Sequence, residues 1–169
     1  MNKKKYTIAQ ILPALNTGGV ERGVIEISKA ISDNGFNSIV ISSGGHMVPQ
    51  LRRSGTKHYE INVHSKNLLK WPQIRKQVKL ILEKEYVDLI HICSRAPAWI
   101  VFPLGKALGV PVVTSVHMRF RKTNLFKKYY NSILTKGDKV IAISKHIEKT
   151  IKESFPQPSI KNKITVIHR

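Results

Sequence analysis

The stretch that decides the fold is residues 6–42, YTIAQILPALNTGGVERGVIEISKAISDNGFNSIVIS. An apolar run at residues 6–12 leads into a Gly-Gly pair, and a second apolar run follows at residues 37–42. Between the runs, apolar residues recur at helical spacing, and Gly35 stands where a helix end favours a left-handed residue. The recurring residues are Val20, Val24, Ile27 and Ile31. This strand–helix–strand pattern predicts a βαβ unit.

The same alternation continues through the rest of the chain. Further apolar runs lie at residues 57–61, 87–92, 110–115, 139–143 and 164–167. Helix-like segments lie at residues 71–81, 97–108, 122–135 and 144–153. Such alternation is typical of a parallel sheet covered by helices on both faces. We therefore predict an α/β fold with a Rossmann-like, doubly wound, mainly parallel sheet of about seven strands, in one domain over residues 1–169.

Length and cysteine content limit the class of protein. A chain of 169 residues with 41% hydrophobic content builds one core. A single cysteine, Cys93, forms no internal disulfide, so we expect a reducing, cytoplasmic location.

The lysines at residues 3–5 resemble the start of a signal peptide, but Gln10 and Pro13 interrupt the apolar stretch that follows. No stretch has the roughly 18 apolar residues of a spanning helix, so we expect any membrane contact to be peripheral.

Positive charge is concentrated in the later part of the sequence. Lys and Arg number 29 against 10 Asp and Glu, and residues 61–169 hold 21 of the basic and 6 of the acidic side chains. A surface of this kind attracts polyanions, which include nucleic acid, anionic lipid and phosphorylated substrates. Charge alone does not choose among them.

Polar groups follow four of the predicted strands, at the edge where open α/β sheets bind ligands. They come after the first, fourth, fifth and sixth strands. The groups are Asn16-Thr17-Gly18-Gly19, Ser94-Arg95-Ala96-Pro97, His117-Met118-Arg119 and Ser144-Lys145-His146. We therefore expect the functional site at this edge.

Gly18 and Gly19 stand directly before the first predicted helix. Glycines in this position let a ligand approach the backbone, and the N–H groups of a helix start favour a phosphate or carboxylate. The pair fits neither G-x-G-x-x-G nor G-x-x-x-x-G-K-[ST], and Gly-Gly also occurs in ordinary turns. From this loop alone, a phosphate site and a plain turn both stay open.

His117 and Arg95 are each open to two interpretations. At a strand exit, the neutral imidazole of His117 can hydrogen-bond a sugar hydroxyl, or it can merely cap a loop. Arg95 can clamp an anionic group or solvate the rim of the sheet. Position alone does not decide either case.

Missing motifs argue against several classes of enzyme. The sequence has no H-E-x-x-H motif and no Cys-His pair at metal-ligand spacing. Acidic residues are too sparse to indicate a glycosidase-like carboxylate pair. Cys93 ends an apolar run and is expected to be a small buried side chain rather than a nucleophile.

Residues 119–130, RFRKTNLFKKYY, interleave basic and aromatic side chains. A segment of this composition can lie on an anionic membrane surface. It can equally be the solvated face of a helix, or hold phosphates and stack bases of a nucleic acid. The sequence lacks the signatures of RRM, KH, OB and helix-turn-helix domains, so nucleic acid is the partner we favour least.

Five stretches, in this order, resemble the N-terminal domain of family-4 glycosyltransferases. They are residues 15–22 (LNTGGVER), 88–99 (DLIHICSRAPAW), 111–117 (PVVTSVH), 138–144 (DKVIAIS) and 164–169 (ITVIHR). Together they extend over nearly the whole chain.

The resemblance implies the N-terminal, acceptor-side half of a two-domain GT-B enzyme. Such an enzyme retains configuration, uses no metal or other cofactor, and moves a hexosyl-type sugar from a nucleotide-sugar donor to a glycan or lipid-linked envelope acceptor, as in lipopolysaccharide synthesis. By the same resemblance His117 is catalytic and contacts the transferred sugar, while Gly18 and Gly19 approach the donor phosphates. The substrate-binding residues on this reading are Asn16, Thr17, Ser94, Arg95, Arg119 and Ser144. The implied location is cytoplasmic, at or near the inner face of the plasma membrane.

Two departures from the family pattern stand out. Met118 replaces the glycine that often follows the strand-exit histidine, and a side chain there narrows the freedom of the loop. The sequence ends at Arg169, before the donor domain with its Arg/Lys pair and Glu-x₇-Glu element. We therefore expect the isolated chain to be inactive, because most stabilisation of the leaving group comes from that half, whether it is a continuation or a separate chain. A non-catalytic remnant, or a module that binds a sugar or a partner protein, is the alternative.

Overall fold

The computed structural model describes residues 5–120 and 124–168. Its strands are β1 (Thr7–Ile11), β2 (Asn37–Ser42), β3 (Lys57–Glu60), β4 (Leu89–Ile92), β5 (Val112–Val116), β6 (Lys139–Ala142) and β7 (Ile164–Val166). All seven predicted strands are present, and their ends lie within two residues of the predicted ends. The seven-stranded α/β prediction is confirmed.

Seven helices alternate with these strands in the described chain. They are α1 (Gly19–Asp33), α2 (Val48–Arg53), α3 (Trp71–Lys84), α4 (Arg95–Leu108), α5 (Leu125–Ser132), α6 (Lys145–Ser154) and α7 (Pro158–Lys161). The helix predicted over residues 122–135 is shorter: α5 begins at Leu125 and gives way to a 3₁₀ turn at Ile133–Thr135. Its predicted start, Lys122, lies outside the described residues. Periodicity does not predict α2 and α7, since helices of 6 and 4 residues are too short to repeat a pattern.

All strand neighbours are parallel, in the order β3-β2-β1-β4-β5-β6-β7. The chain builds outward from β1 to β3 and then places β4 on the other side of β1. The carboxyl ends of β1 and β4 therefore flank the switch point of a doubly wound sheet, which is where ligands bind in this architecture.

One face of the sheet is fully covered. Apolar side chains of α3, α4 and α6 pack against alternate residues of the strands in one continuous core. Members of this core include Ile74, Val78, Val101, Ile151, Ile39, Ile90 and Val140. This packing fixes the strand ends and hence the loops that leave them.

The opposite face is covered only in part, by α1 and α2 over the β1–β2 side. Cys93 is buried in that smaller core, at 4% exposure, as expected from the sequence. Over β4, β5 and β6 an apolar groove of about 590 Å³ stays open, lined by side chains such as Leu89, Val113 and Ile141. The prediction that helices cover both faces is therefore wrong for this region, because within the described residues only α1 borders it.

Gln10 joins β1 to α1. Its side chain is fully buried, and its Nε2 donates hydrogen bonds to the Val24 carbonyl at 3.1 Å and to Ser28 Oγ at 2.7 Å. A buried amide with partners on a neighbouring helix fixes the position of that helix along the strand. Gln10 thus sets where the first turn of α1 meets the edge of the sheet.

Candidate functional site

The loop from β1 to α1 is held by the loop that follows β2. Leu15 N–H donates to the Gly44 carbonyl at 2.7 Å, and Met47 N–H donates to the Leu15 carbonyl at 3.0 Å. Thr17 Oγ1 lies 3.1 Å from His46 Nε2. The predicted substrate-binding residues Asn16 and Thr17 are both exposed on this supported loop.

Gly18 and Gly19 form the start of α1. Gly18 is the N-cap in an extended conformation, and its carbonyl accepts a hydrogen bond from Arg22 N–H at 3.2 Å. A Cβ built on Gly19 would meet no atom within 4 Å. A Cβ built on Gly18 would instead lie 2.2 Å from Glu21 Oε2, so the carboxylate of Glu21 lies beside the start of the helix and the open space is confined to the Gly19 side.

His117 belongs to a chain of three side chains on β4 and β5. Ser115 Oγ lies 2.9 Å from His117 Nε2 and 3.0 Å from His91 Nε2. A serine hydroxyl donates only one hydrogen bond, so at least one of the two imidazoles must carry its proton on Nε2. These hydrogen bonds hold the half-buried His117 ring at the strand exit, and Ser115 contacts one edge of the ring.

Sequence reasoning missed His91 and Ser115 as part of this arrangement. Their partnership depends on strand pairing, because His91 lies on the strand next to β5 and pairs in register with Val113, two residues before Ser115. Alternate residues of adjacent parallel strands share a face, which places Ser115 and His117 on the side of His91.

Arg95 connects the start of α4 to α5. Its Nη1 donates to Asn131 Oδ1 at 2.6 Å, its guanidinium carbon lies 5.9 Å from the centre of the Tyr130 ring, and its Nη2 lies 2.9 Å from Met118 Sδ. Two of its five N–H donors are therefore already used. Met118, the residue that departs from the family pattern, is 56% exposed.

The two predicted serines behave differently. Ser144 Oγ accepts a hydrogen bond from Ile147 N–H at 3.2 Å and so caps α6. Ser94 occupies the same position before α4 but makes no capping bond with its side chain. Its hydroxyl is half-buried at the edge of the sheet.

All the predicted site residues lie at the carboxyl edge of the sheet or in the loops leaving it. The described contacts join them in three groups rather than one: the β1 loop with the β2 loop, His117 with Ser115 and His91, and Arg95 with α5. Arg119 is exposed, two residues beyond His117. Beside Thr17, a pocket of about 500 Å³ opens between α1 and α2, lined also by Arg22, His46 and Arg53.

The resolved pKa shifts lie near β3, away from these groups. Burial, a hydrogen bond to Glu85 and the charge of Glu85 raise the pKa of Tyr59 to about 12. Hydrogen bonds from Lys57 and Tyr59 lower the pKa of Glu85, against an opposing effect of burial. Burial, with the nearby positive charge of Arg52, lowers the pKa of His58 despite Glu60. The shifts of Tyr59 and Glu85 reflect packing of β3 against the end of α3.

The described residues offer neither a metal cluster nor a membrane-spanning helix. They contain no group of three His, Cys, Asp or Glu side chains placed to hold a metal ion. No helix among them has the length and apolar character needed to cross a bilayer.

A parallel seven-stranded sheet with polar loops at its switch point matches the N-terminal halves of GT-B glycosyltransferases. The family model Glycosyltransferase Family 4 matches residues 17–169, and the chain belongs to this family. No curated protein sequence matches the chain.

The solved structures agree with this assignment. A glycosyltransferase from Rickettsia africae ESF-5 is 40% identical, with a TM-score of 0.84 over 99% of this chain. Anabaena Alr3699/HepE in complex with UDP and glucose is 15% identical, with a TM-score of 0.78 over 96% of this chain. The lipopolysaccharide outer core galactosyltransferase WaaB is 16% identical, with a TM-score of 0.68 over 96%. The last two show the fold alone. The chain spans 44%, 44% and 45% of the length of these three proteins.

Proposed function

We propose that this chain is the acceptor-side half of a retaining, metal-independent glycosyltransferase that works together with a C-terminal donor domain. The observation that carries the proposal is His117, held by Ser115 at the switch-point edge of a family-4 domain. A histidine fixed in this way loses little side-chain entropy when it binds a ligand.

The donor is a nucleotide-sugar. Gly18 and Gly19 approach its phosphates, and the partial positive charge at the start of α1 stabilises the negative charge that develops on the leaving diphosphate. The open space at Gly19 and the support of the loop by Gly44 favour this role. The Anabaena neighbour, which binds UDP and glucose, is consistent with it.

The acceptor is a glycan or a lipid-linked envelope precursor. Asn16 and Thr17 line its side together with the pocket beside them, and Ser94, Arg95, Arg119 and Ser144 complete the edge. The galactosyltransferase WaaB, which acts in the lipopolysaccharide outer core, has the same fold and supports an envelope acceptor. Arg95 positions α5 against α4 in addition to any contact with the acceptor, because Asn131 already occupies one of its nitrogens.

The protein works in the cytoplasm, peripherally on the inner face of the plasma membrane. On α5, Leu125 and Phe126 are 85% and 77% exposed, with Lys127 and Lys128 beside them. Exposed apolar side chains next to lysines suit the surface of an anionic bilayer.

Sedimentation with anionic vesicles tests this, since replacing Arg119, Arg121, Lys127 and Lys128 by Gln should release the protein. Unchanged sedimentation would remove the membrane from the proposal. Of these four, Arg121 lies outside the described residues.

A titration of the isolated chain with UDP-glucose tests the donor contact. We expect the backbone amide signals of Gly18, Gly19 and His117 to shift at millimolar ligand, while that of Ile160, on α7, stays in place. If the amide signals of Gly18, Gly19 and His117 all stay in place, the assignment is contradicted.

The same isolated chain, supplied with nucleotide-sugars and acceptor glycans, is expected to show no sugar transfer, because most donor contacts lie in the other half. Transfer by the pure chain would contradict this. The amide shifts and the turnover assay thus separate the binding role from the dependence on a partner domain.

A further inference from the structure

A second basic pocket lies away from the candidate site, bordered by α4, α5 and the segments around α7. Its volume is about 730 Å³, within the range of small-molecule sites. We call it the lysine pocket after the four lysines that line it, Lys106, Lys128, Lys136 and Lys163. Lys106 lies near the end of α4, and Lys136 and Lys163 come just before β6 and β7, so three of the four lie toward the amino-terminal edge of the sheet. The candidate site is at the opposite edge.

The charge of the lysine pocket has no counterpart among the described residues that line it. The described residues that line it include no Asp or Glu. None of the four lysines takes part in an ion pair between described residues. Four ammonium groups around one opening repel each other, and an anion placed among them relieves that repulsion.

Aromatic rings hold three of these lysines. The Nζ atoms of Lys106, Lys128 and Lys136 lie 5.6, 5.9 and 5.8 Å from the ring centres of Phe102, Phe155 and Trp99. Such contacts favour the ammonium group without neutralising its charge. The lysines are therefore partly ordered around the opening while remaining available to an anion.

The floor and rim of the pocket are apolar. Phe155 is 4% exposed, whereas Leu125 and Tyr129 at the rim are 85% and 62% exposed. The hydroxyl groups of Ser132 and Thr135 already donate to the carbonyls of Tyr129 and Ser132, at 2.7 and 2.8 Å, so neither hydroxyl proton remains for an anion. A ligand that matches this lining carries an anionic, oxygen-rich head and an apolar tail.

We infer that the lysine pocket binds the phosphate headgroup of an anionic membrane lipid, with Leu125 and Tyr129 against the acyl chains. The inference rests on the proposed membrane contact and assigns it to a discrete pocket rather than to net charge. A lipid is favoured over a soluble phosphate because the rim exposes large apolar side chains next to the lysines.

Vesicle binding with two charge-matched variants tests the inference. The pocket variant is Lys136→Gln with Lys163→Gln, and the control is Lys70→Gln with Lys76→Gln, two exposed lysines outside the pocket. On vesicles of phosphatidylcholine with phosphatidylglycerol, we expect the pocket variant to bind about thirtyfold more weakly, as two lysines at an anionic surface correspond to about 2 kcal/mol. The control should lose less than about threefold. Equal losses in the two variants would overturn the pocket and leave only net charge.

Leu125→Gln separates the lipid from a soluble phosphate. It should weaken binding to the same vesicles but leave the amide shifts caused by soluble glycerophosphoglycerol unchanged. If Leu125→Gln has no effect on vesicle binding, the lipid source is overturned.

If Arg119→Gln with Lys127→Gln abolishes vesicle binding while the pocket variant does not, the lysine pocket is wrong and the proposed membrane contact on α5 stands. Sugar transfer by the pocket variant, measured with a soluble acceptor and a donor domain supplied, is expected to equal that of the unsubstituted protein, so the proposed function is tested separately from the lysine pocket.

Discussion

At the scale of single residues, the two glycines after β2 shape the loop that carries the candidate site. Gly45 has a φ of +138°, and a Cβ there would lie 2.3 Å from the Leu15 carbonyl oxygen. That carbonyl belongs to the loop leading to Gly18. Gly35, at the end of α1, also has a positive φ of +80°, but a Cβ there would meet nothing within 4 Å.

We predict that Gly45→Ala destabilises the protein by about 3 kcal/mol and that Gly35→Ala costs about 1 kcal/mol. Both substitutions introduce backbone strain, but only the first also forces a clash with a backbone atom. Urea unfolding of the two variants measures the difference. Equal losses of stability would show that the two loops do not pack as the structure has them.

Some residue roles follow from the sequence and others do not. The left-handed conformation predicted for Gly35 is confirmed. The contacts of Gln10 with α1 and of His91 with Ser115 emerge only once strands and helices are paired, because these partners are 14 to 24 residues apart. A local pattern carries no information on such partners.

At the scale of elements, Ser144 and Ser94 both precede a helix, but only Ser144 caps its helix with a side-chain hydrogen bond. We predict that Ser144→Ala destabilises the protein by about 1 kcal/mol, because it removes the hydroxyl that accepts from Ile147 N–H. Ser94→Ala serves as its control and should change stability by less than about 0.5 kcal/mol, since no capping bond is lost. Thermal unfolding distinguishes the two. A larger loss at Ser94 would contradict the assignment of the caps.

The contact between β3 and the end of α3 has a pH dependence that can be measured. Tyr59 O–H donates to Glu85, and Lys57 Nζ lies 2.7 Å from the same carboxylate. The pKa of Tyr59 is raised to about 12, above its value of about 10 in the unfolded chain. The stability that the neutral phenol contributes is therefore complete below about pH 10 and lost as the pH rises toward 12.

We predict that Glu85→Gln lowers the pKa of Tyr59 but leaves it above 10.0, because burial is the largest cause of the shift and remains. Tyrosinate absorbance, with Tyr59→Phe subtracted to remove the other tyrosines, measures it. A Tyr59 titration unchanged by Glu85→Gln would rule out the hydrogen bond.

The elements predictable from sequence are the ones with enough residues to repeat a pattern. The strands and the longer helices follow from apolar runs and helical spacing, whereas α2 and α7 do not. The open groove over β4, β5 and β6 was also beyond the sequence. A continuous apolar run reads as a strand buried on both faces whether or not a helix covers it.

At the scale of the whole molecule, positive charge lies mainly in the later part of the chain. The net charge of +19 is concentrated after residue 60, where both α5 and the lysine pocket lie. The chain matches a family of glycosyltransferases but spans under half the length of the solved relatives. The edge of the sheet could be predicted as the site from strand order alone. The three groups of contacts at that edge could not be predicted, because side-chain partners there depend on how the loops pack.

The most direct test of the central claim joins residues 1–169 to the remaining C-terminal part of the Rickettsia africae glycosyltransferase, which is 40% identical over the shared half. The fusion is assayed with a panel of nucleotide-sugars and envelope glycans, and folding is checked by thermal unfolding. We predict sugar transfer that falls about 100-fold with His117→Ala while the melting temperature stays the same. A folded fusion that transfers no sugar, or one that works equally well with His117→Ala, would contradict the account.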